Sequence, residues 1–223
     1  MKQDAFQSRY RWIMLFLLWL LYIAFGLVAR SITPLITPIL NDLRMSYSQM
    51  GFILGSWQLT YILAALVAGA ILDRWGVRKS IFAGAMLIGL SASIRYFATG
   101  FLTMLFAIAL FGVGGTMISI GGPKTISEWF SGRSRGIAVG IYTTGPWIGG
   151  LMALALTNSF VMPLVNGSWR LTFVCYGMLT SVIALLWLFL ARESTSKPAT
   201  VGASITEVFK KLIAVCNLSL IHI

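Results

Sequence analysis

The sequence predicts an all-α membrane protein of six transmembrane helices. Three observations carry that prediction. Of 223 residues, 58% are hydrophobic and only 10% charged, whereas a soluble domain carries about a quarter charged residues. The apolar residues gather in six runs, each long enough to cross a bilayer as a helix. The 17 lysines and arginines lie mostly between alternate runs, as they do when one side of a membrane is favoured. Backbone polar groups find no water in lipid, so these runs are helices and not strands.

The spans fall near Trp12–Ile36, Ser48–Leu72, Ser80–Ala98, Leu102–Gly122, Gly136–Phe160 and Leu171–Ala191. The first run is too long for a signal peptide and lacks a small-residue cleavage site, so it is expected to remain as a helix. With residues 1–11 as a cytoplasmic N-terminus, Lys2, Arg9, Arg11, Arg74, Arg78, Lys79, Lys124, Arg133, Arg135, Arg192, Lys197, Lys210 and Lys211 face the cytoplasm. Only Arg44, Arg95 and Arg170 fall on the outer side, with Arg95 at the outer end of the third span. Arg30 lies within the first span. Topology thus accounts for the net charge of +11 without a nucleic-acid partner.

Residues 12–191 form the six-helix bundle, and 192–217 read as a cytoplasmic linker. Within the linker, Ser204 and Glu207 make a capping box ahead of Ile205, Val208, Phe209 and Leu212 at helical spacing. A short amphipathic helix on the membrane surface is expected there. Leu218-Ser-Leu-Ile-His-Ile223 is expected to be a sequencing or cloning scar, the alternative being the start of a seventh helix. Cys175 in the sixth span and Cys216 in the tail are not expected to meet. No metal cluster, catalytic triad or paired carboxylate is seen, so neither an enzyme nor a cofactor is expected.

Arg30 is the first candidate for solute chemistry. A cation at the bilayer centre costs about 2.5–3.5 kcal/mol on insertion scales, so such residues face a cavity or a partner. Tyr22, Gly26, Arg30 and Thr33 share one helix face. No acid lies in the middle of any span. A substrate anion, snorkelling to the outer surface, or a partner elsewhere in the protein each remain open for Arg30. Pro34 and Pro38 imply either a kink or the end of the first helix. In the second span, Trp57 and Tyr61 are four apart and Gln58 is polar within the membrane. In the fifth, Tyr142, Thr143 and Trp147 stand beside Gly145-Pro146 and Gly149-Gly150. Pro146 removes a helical hydrogen bond, and a hinge is expected at these four residues.

Between spans two and three lies Gly69-Ala-Ile-Leu-Asp73-Arg74-Trp-Gly76-Val-Arg78-Lys79. This stretch resembles the signature loop of the major facilitator superfamily, G-x-L-x-D-R-x-G-R-[KR]. Gly69, Asp73, Arg74, Gly76 and Arg78 match; Ile71 replaces the leucine and Val77 departs. Gly145-Pro146 with Gly149-Gly150 resembles part of the helix-5 motif of facilitator antiporters, although Ile141 stands where that motif has glycine. Ile108 occupies the place of an arginine found in many proton-coupled members.

The resemblance implies the amino-terminal half of a twelve-helix fold, in a plasma (inner) membrane, with a second six-helix half as its partner. It is closest to the cyanate permease and anion-transporter branch. It implies a secondary transporter of a small anion or organic acid. Arg30 would hold the negative group, with Tyr22, Gln58, Tyr61 and Tyr142 shaping the pocket. Gly69, Asp73, Arg74, Gly76 and Arg78 would form a latch with Arg135 or a nearby cation. The alternatives are a multidrug or metabolite exporter of the same superfamily, and a membrane sensor or scaffold that moves nothing.

Overall fold

The computed structural model describes residues 2–193, with side chains from Tyr10 onward. The expected linker helix and the terminal hexapeptide lie outside the described residues. The chain runs as α1 (Lys2–Arg30), a 3-10 turn (Thr33–Leu35), α2 (Ile36–Leu43), α3 (Tyr47–Trp75), α4 (Val77–Ile94), a second 3-10 turn (Arg95–Phe97), α5 (Phe101–Trp129), α6 (Gly132–Leu156), a π turn (Thr157–Val161), α7 (Met162–Leu164) and α8 (Trp169–Leu190). Among the described residues, six helices are long and apolar enough to span a membrane.

The helix ends differ from the sequence reading in instructive ways. Composition detects only the part of a helix that lies in hydrocarbon, whereas the observed helices run on past it. The loop expected between Leu72 and Ser80 shrinks to Gly76, whose φ of +80° turns the chain in one residue. Asp73 and Arg74 belong to the last turn of α3 instead. The fourth span does not stop at Gly122 but continues through Pro123 to Trp129. A proline frees a carbonyl in the preceding turn, and local hydroxyls help to satisfy the backbone there. One turn on, the Thr125 hydroxyl donates to the Gly121 carbonyl at 2.9 Å.

Near Pro34, α1 stops at Arg30, makes one 3-10 turn and resumes as α2. Both the proline ring and its restriction of the preceding residue disfavour a continuous α-helix there. Arg44, in the left-handed conformation, then closes α2. Ser46 and Gln49 form a reciprocal capping box that starts α3, with bonds of 3.2 and 2.9 Å. Asn166 and Gly167 both have positive φ and turn the chain into Ser168, which caps α8.

The helices form an arc in the order α3, α5, α4, α8, α1, α6, with α1 also touching α5. Small residues let the backbones approach. A Cβ on Gly114 would lie 2.5 Å from the Gly84 carbonyl oxygen, and one on Gly177 would lie 2.6 Å from that of Gly89. At the two ends of the arc, α3 and α6 are the least enclosed spans, with 17% and 22% of their apolar windows buried against 50–56% for spans one, three and four. An open face thus runs between α3 and α6, with α1 and α5 behind it. A second cluster, including Ile39, Met50, Met104, Trp169 and Phe173, closes the Asp42 end of the bundle.

Arg95 stands at the end of the third span, in the 3-10 turn after α4, and is only 1% exposed, enclosed by the bundle. Cys175 is a free, exposed cysteine of α8.

Candidate substrate site on the open face

Tyr22 stands where α1, α5 and α6 converge. Its hydroxyl donates to the Ile118 carbonyl at 3.2 Å, and its ring meets Tyr142 edge-on with centroids 5.0 Å apart. Two glycines make the space. A Cβ on Gly122 would lie 2.4 Å from the Tyr22 hydroxyl, and one on Gly145 would lie 2.7 Å from the Tyr22 Cβ. One turn further along α1, Phe25 stacks on Phe111 at 5.1 Å and meets Trp57 edge-on at 6.5 Å. Trp57 in turn meets Tyr61 at 6.2 Å. An aromatic lining therefore passes from α6 through α1 and α5 to α3. Tyr22 and Tyr142 are buried in it, Tyr61 is half-buried, and Gln58 beside Trp57 is exposed. The Gln58 amide has no hydrogen-bond partner among the described residues.

Arg30 ends α1, two turns from Tyr22. Arg30 lies inside the first candidate span, Tyr10–Leu43. Its stem lies against Gly150, where a Cβ would be 3.1 Å from the Arg30 Cγ. The residue is exposed, and among the described residues its guanidinium has neither an ion-pair nor a hydrogen-bond partner. Its place in the last helical turn favours a cation, since the α1 carbonyls point that way.

The expected hinge residues act first as packing. α6 is helical through Gly145 and Pro146. A Cβ on Gly149 would lie 2.0 Å from the Ile23 carbonyl oxygen, and one on Gly26 would lie 2.1 Å from that of Pro146. These close approaches make α1 and α6 the most intimately packed pair in the bundle. The break in α6 comes later, at the π turn. There Asn158 donates its amide to the Pro34 carbonyl at 3.3 Å, joining this irregularity to the one that follows α1.

At the other end, Asp73 pairs with Lys124 at 2.5 Å, which ties α3 to α5. Arg135 and Arg74 are exposed and do not meet Asp73. Arg78 ties α4 to α8: its Nε donates to the Leu188 carbonyl at 3.0 Å, and Trp187 Nε1 donates back to the Arg78 carbonyl at 3.0 Å. Gly69 faces open space. The residues with the signature spacing are thus divided between two helix pairs.

Sequence reasoning missed a clasp at the Asp42 end. Asp42 accepts from Arg170 and, at 3.0 Å, from Trp169 Nε1; Arg170 also donates to the Ala98 carbonyl at 3.0 Å. The two partners lie more than a hundred residues from Asp42, and no local pattern announces such a contact. Trp19 donating to Thr144 at 2.9 Å is a similar case.

Comparisons with known proteins point to one family. A hexuronate transporter of Bacillus subtilis (strain 168) is 27% identical over 74% of this chain and 38% of its own length. A galacturonate transporter of Dickeya chrysanthemi is 29% identical over 74% of this chain and 47% of its own. A hexuronate transporter of Escherichia coli (strain K12) is 27% identical over 80% of this chain and 40% of its own. The chain spans less than half the length of these relatives. A solved bacterial homolog to the human lysosomal transporter Spinster, inward-facing and occupied, superposes with a TM-score of 0.72 at 24% identity. It is matched over 82% of this chain and 45% of its own. The profile of the Major Facilitator Superfamily matches residues 18–220. Six membrane-spanning helices in this arrangement, the Asp73–Arg78 signature and that match together place the chain in the major facilitator superfamily.

Proposed function

We propose that this chain is the amino-terminal half of a secondary transporter for small organic acids, sugar acids among them, working by alternating access. The observation that carries the reading is Arg30: an exposed guanidinium inside the first candidate span, two turns along α1 from the aromatic lining at Tyr22, with no partner among the described residues. Transporters of this kind place substrate near the bilayer midplane between two repeats. A carboxylate would complete Arg30 with two parallel charged hydrogen bonds. Tyr22, Tyr61, Tyr142 and Gln58 would offer hydroxyl and amide groups to a polyhydroxylated body. The names of the hexuronate and galacturonate transporters support this substrate class.

In the proposed topology the Asp73 end faces the cytoplasm, since that end collects most of the described cations and the Asp42 end only Arg44, Arg95 and Arg170. The membrane is then a plasma (inner) membrane with a cytoplasmic N-terminus. The open face between α3 and α6 receives a second six-helix half. Asp73–Lys124 acts as a latch at the cytoplasmic side, with Arg135 and Arg74 free to engage the second half. Gly145, Pro146, Gly149 and Gly150 let α6 move against α1.

The test uses the complete reading frame in proteoliposomes. Counterflow of labelled galacturonate is expected in the wild type, to fall at least about tenfold in Arg30→Ala, since a charged hydrogen bond contributes about 1.5–3 kcal/mol, and to recover partly in Arg30→Lys. Undiminished counterflow in Arg30→Ala overturns the assignment of Arg30. Expulsion of a cationic drug with no organic-acid movement favours the exporter instead.

A further inference from the structure

We propose that Arg95 holds a small inorganic anion of the halide class inside the bundle, where α4, α5 and α8 meet. Its guanidinium is enclosed by protein and makes one hydrogen bond, from Nη2 to Ser91 Oγ at 3.3 Å. Ser91 is itself committed to the Ala107 carbonyl at 2.6 Å. Nε and Nη1 are buried without an acceptor. One face of the guanidinium lies over the Phe173 ring, 4.9 Å from its centroid. The ring offers some attraction to the cation but accepts none of the in-plane N–H groups.

A buried, charged and unfilled donor set calls for a ligand, since unsatisfied buried polar groups are rare and an uncompensated buried charge is costly. Protein carboxylates do not supply it. Asp42, the one described acid at this end, is already bound to Arg170 and Trp169. Enclosure rules out larger partners. At 1% exposure, Arg95 is reached neither by a lipid headgroup nor by a second six-helix half, which separates it from Arg30 on the open face. Water satisfies the donors but leaves the charge. A monatomic anion does both in the smallest volume, and it lies in the guanidinium plane because Phe173 covers one face. Bound there, it completes the guanidinium of Arg95 in the 3-10 turn after α4, next to Ser91 and Phe173.

The experiment uses the full-length protein in detergent. Thermal midpoints are compared in sodium chloride, sodium bromide and sodium gluconate at equal ionic strength. Halide is expected to raise the midpoint by about 2–6 °C over gluconate, and Arg95→Met, which removes the charge and keeps much of the volume, to abolish that difference. Equal wild-type midpoints in the three salts, or the same halide increment in Arg95→Met, overturn the proposal. Wild-type crystals grown in bromide decide it independently of any variant. An anomalous peak within hydrogen-bonding distance of the Arg95 guanidinium supports the site, and a site holding only water refutes it.

Discussion

Adding one methyl group at Gly149 tests the packing on which the candidate site rests. A Cβ there would sit 2.0 Å from the Ile23 carbonyl oxygen and 2.7 Å from the Leu27 nitrogen, both in the backbone of α1. Backbone atoms cannot swing aside as a flexible side chain can. For the oxygen to reach the 3.4 Å of ordinary contact, α1 and α6 must separate locally by about 1.4 Å. Overpacking of this kind costs about 1–3 kcal/mol. Against it stands the gain of about 0.5–1 kcal/mol from replacing glycine by alanine in a helix interior. Gly149→Ala is therefore expected to destabilise by about 1–2 kcal/mol net, and to loosen Tyr22 against Tyr142. Gly140→Ala is the control: it lies in the same helix with open space at its Cβ, and it is expected to be neutral or mildly stabilising. Reversible unfolding in mixed detergent micelles, read by tryptophan fluorescence, compares the two variants. Equal effects would refute the claim that α1 and α6 meet through bare backbone at this point.

Three further outcomes are expected. Asp42→Asn weakens a charged hydrogen-bonded pair and is expected to lower stability by about 1 kcal/mol; a double-mutant cycle with Arg170→Gln in the same unfolding assay should show coupling, and additive effects would deny the clasp. Asp73→Asn removes an ion pair at a helix end and is expected to change stability by less than about 1 kcal/mol. In the complete transporter the same variant is expected to slow counterflow, so unaltered flux would remove the latch role. Tyr22→Phe deletes the bond to the Ile118 carbonyl. A cost of about 0.5–1.5 kcal/mol is expected in the unfolding assay, and its absence would show that the hydroxyl is not bound there.

The six spans were legible because the hydrocarbon core imposes one requirement, about twenty apolar residues per crossing, that composition reports directly. Charge between the spans was equally legible, down to the crowding of cations beside Asp73. Helix ends were not. Trp129 closes α5 seven residues beyond Gly122, because a helix entering water no longer needs apolar side chains and Pro123 can be accommodated within it. Arg95 escaped for a different reason: it adjoins an outer loop in sequence, yet Phe173 and Ser91 enclose it, and such enclosure depends on helices packed from elsewhere in the chain. The partner of Asp73 was legible only as a class, a nearby cation, and geometry selects Lys124. Tyr22, Trp57 and Tyr61 were named from their spacing and Tyr142 from its place beside Gly145-Pro146, whereas Phe25 and Phe111 carry no polar group to mark them. Nothing local signals the π turn, and Asn158 gives no hint in the sequence that it reaches Pro34.

The central claim is that an organic acid is held on the open face by Arg30. Equilibrium binding of galacturonate to the purified full-length protein, measured for wild type, Arg30→Gln and Arg30→Lys, tests it most directly. The account predicts that Arg30→Gln weakens binding about tenfold or more, that Arg30→Lys retains part of the affinity, and that the uncharged sugar galactose does not compete. Galacturonate binding as tight in Arg30→Gln as in the wild type would contradict it.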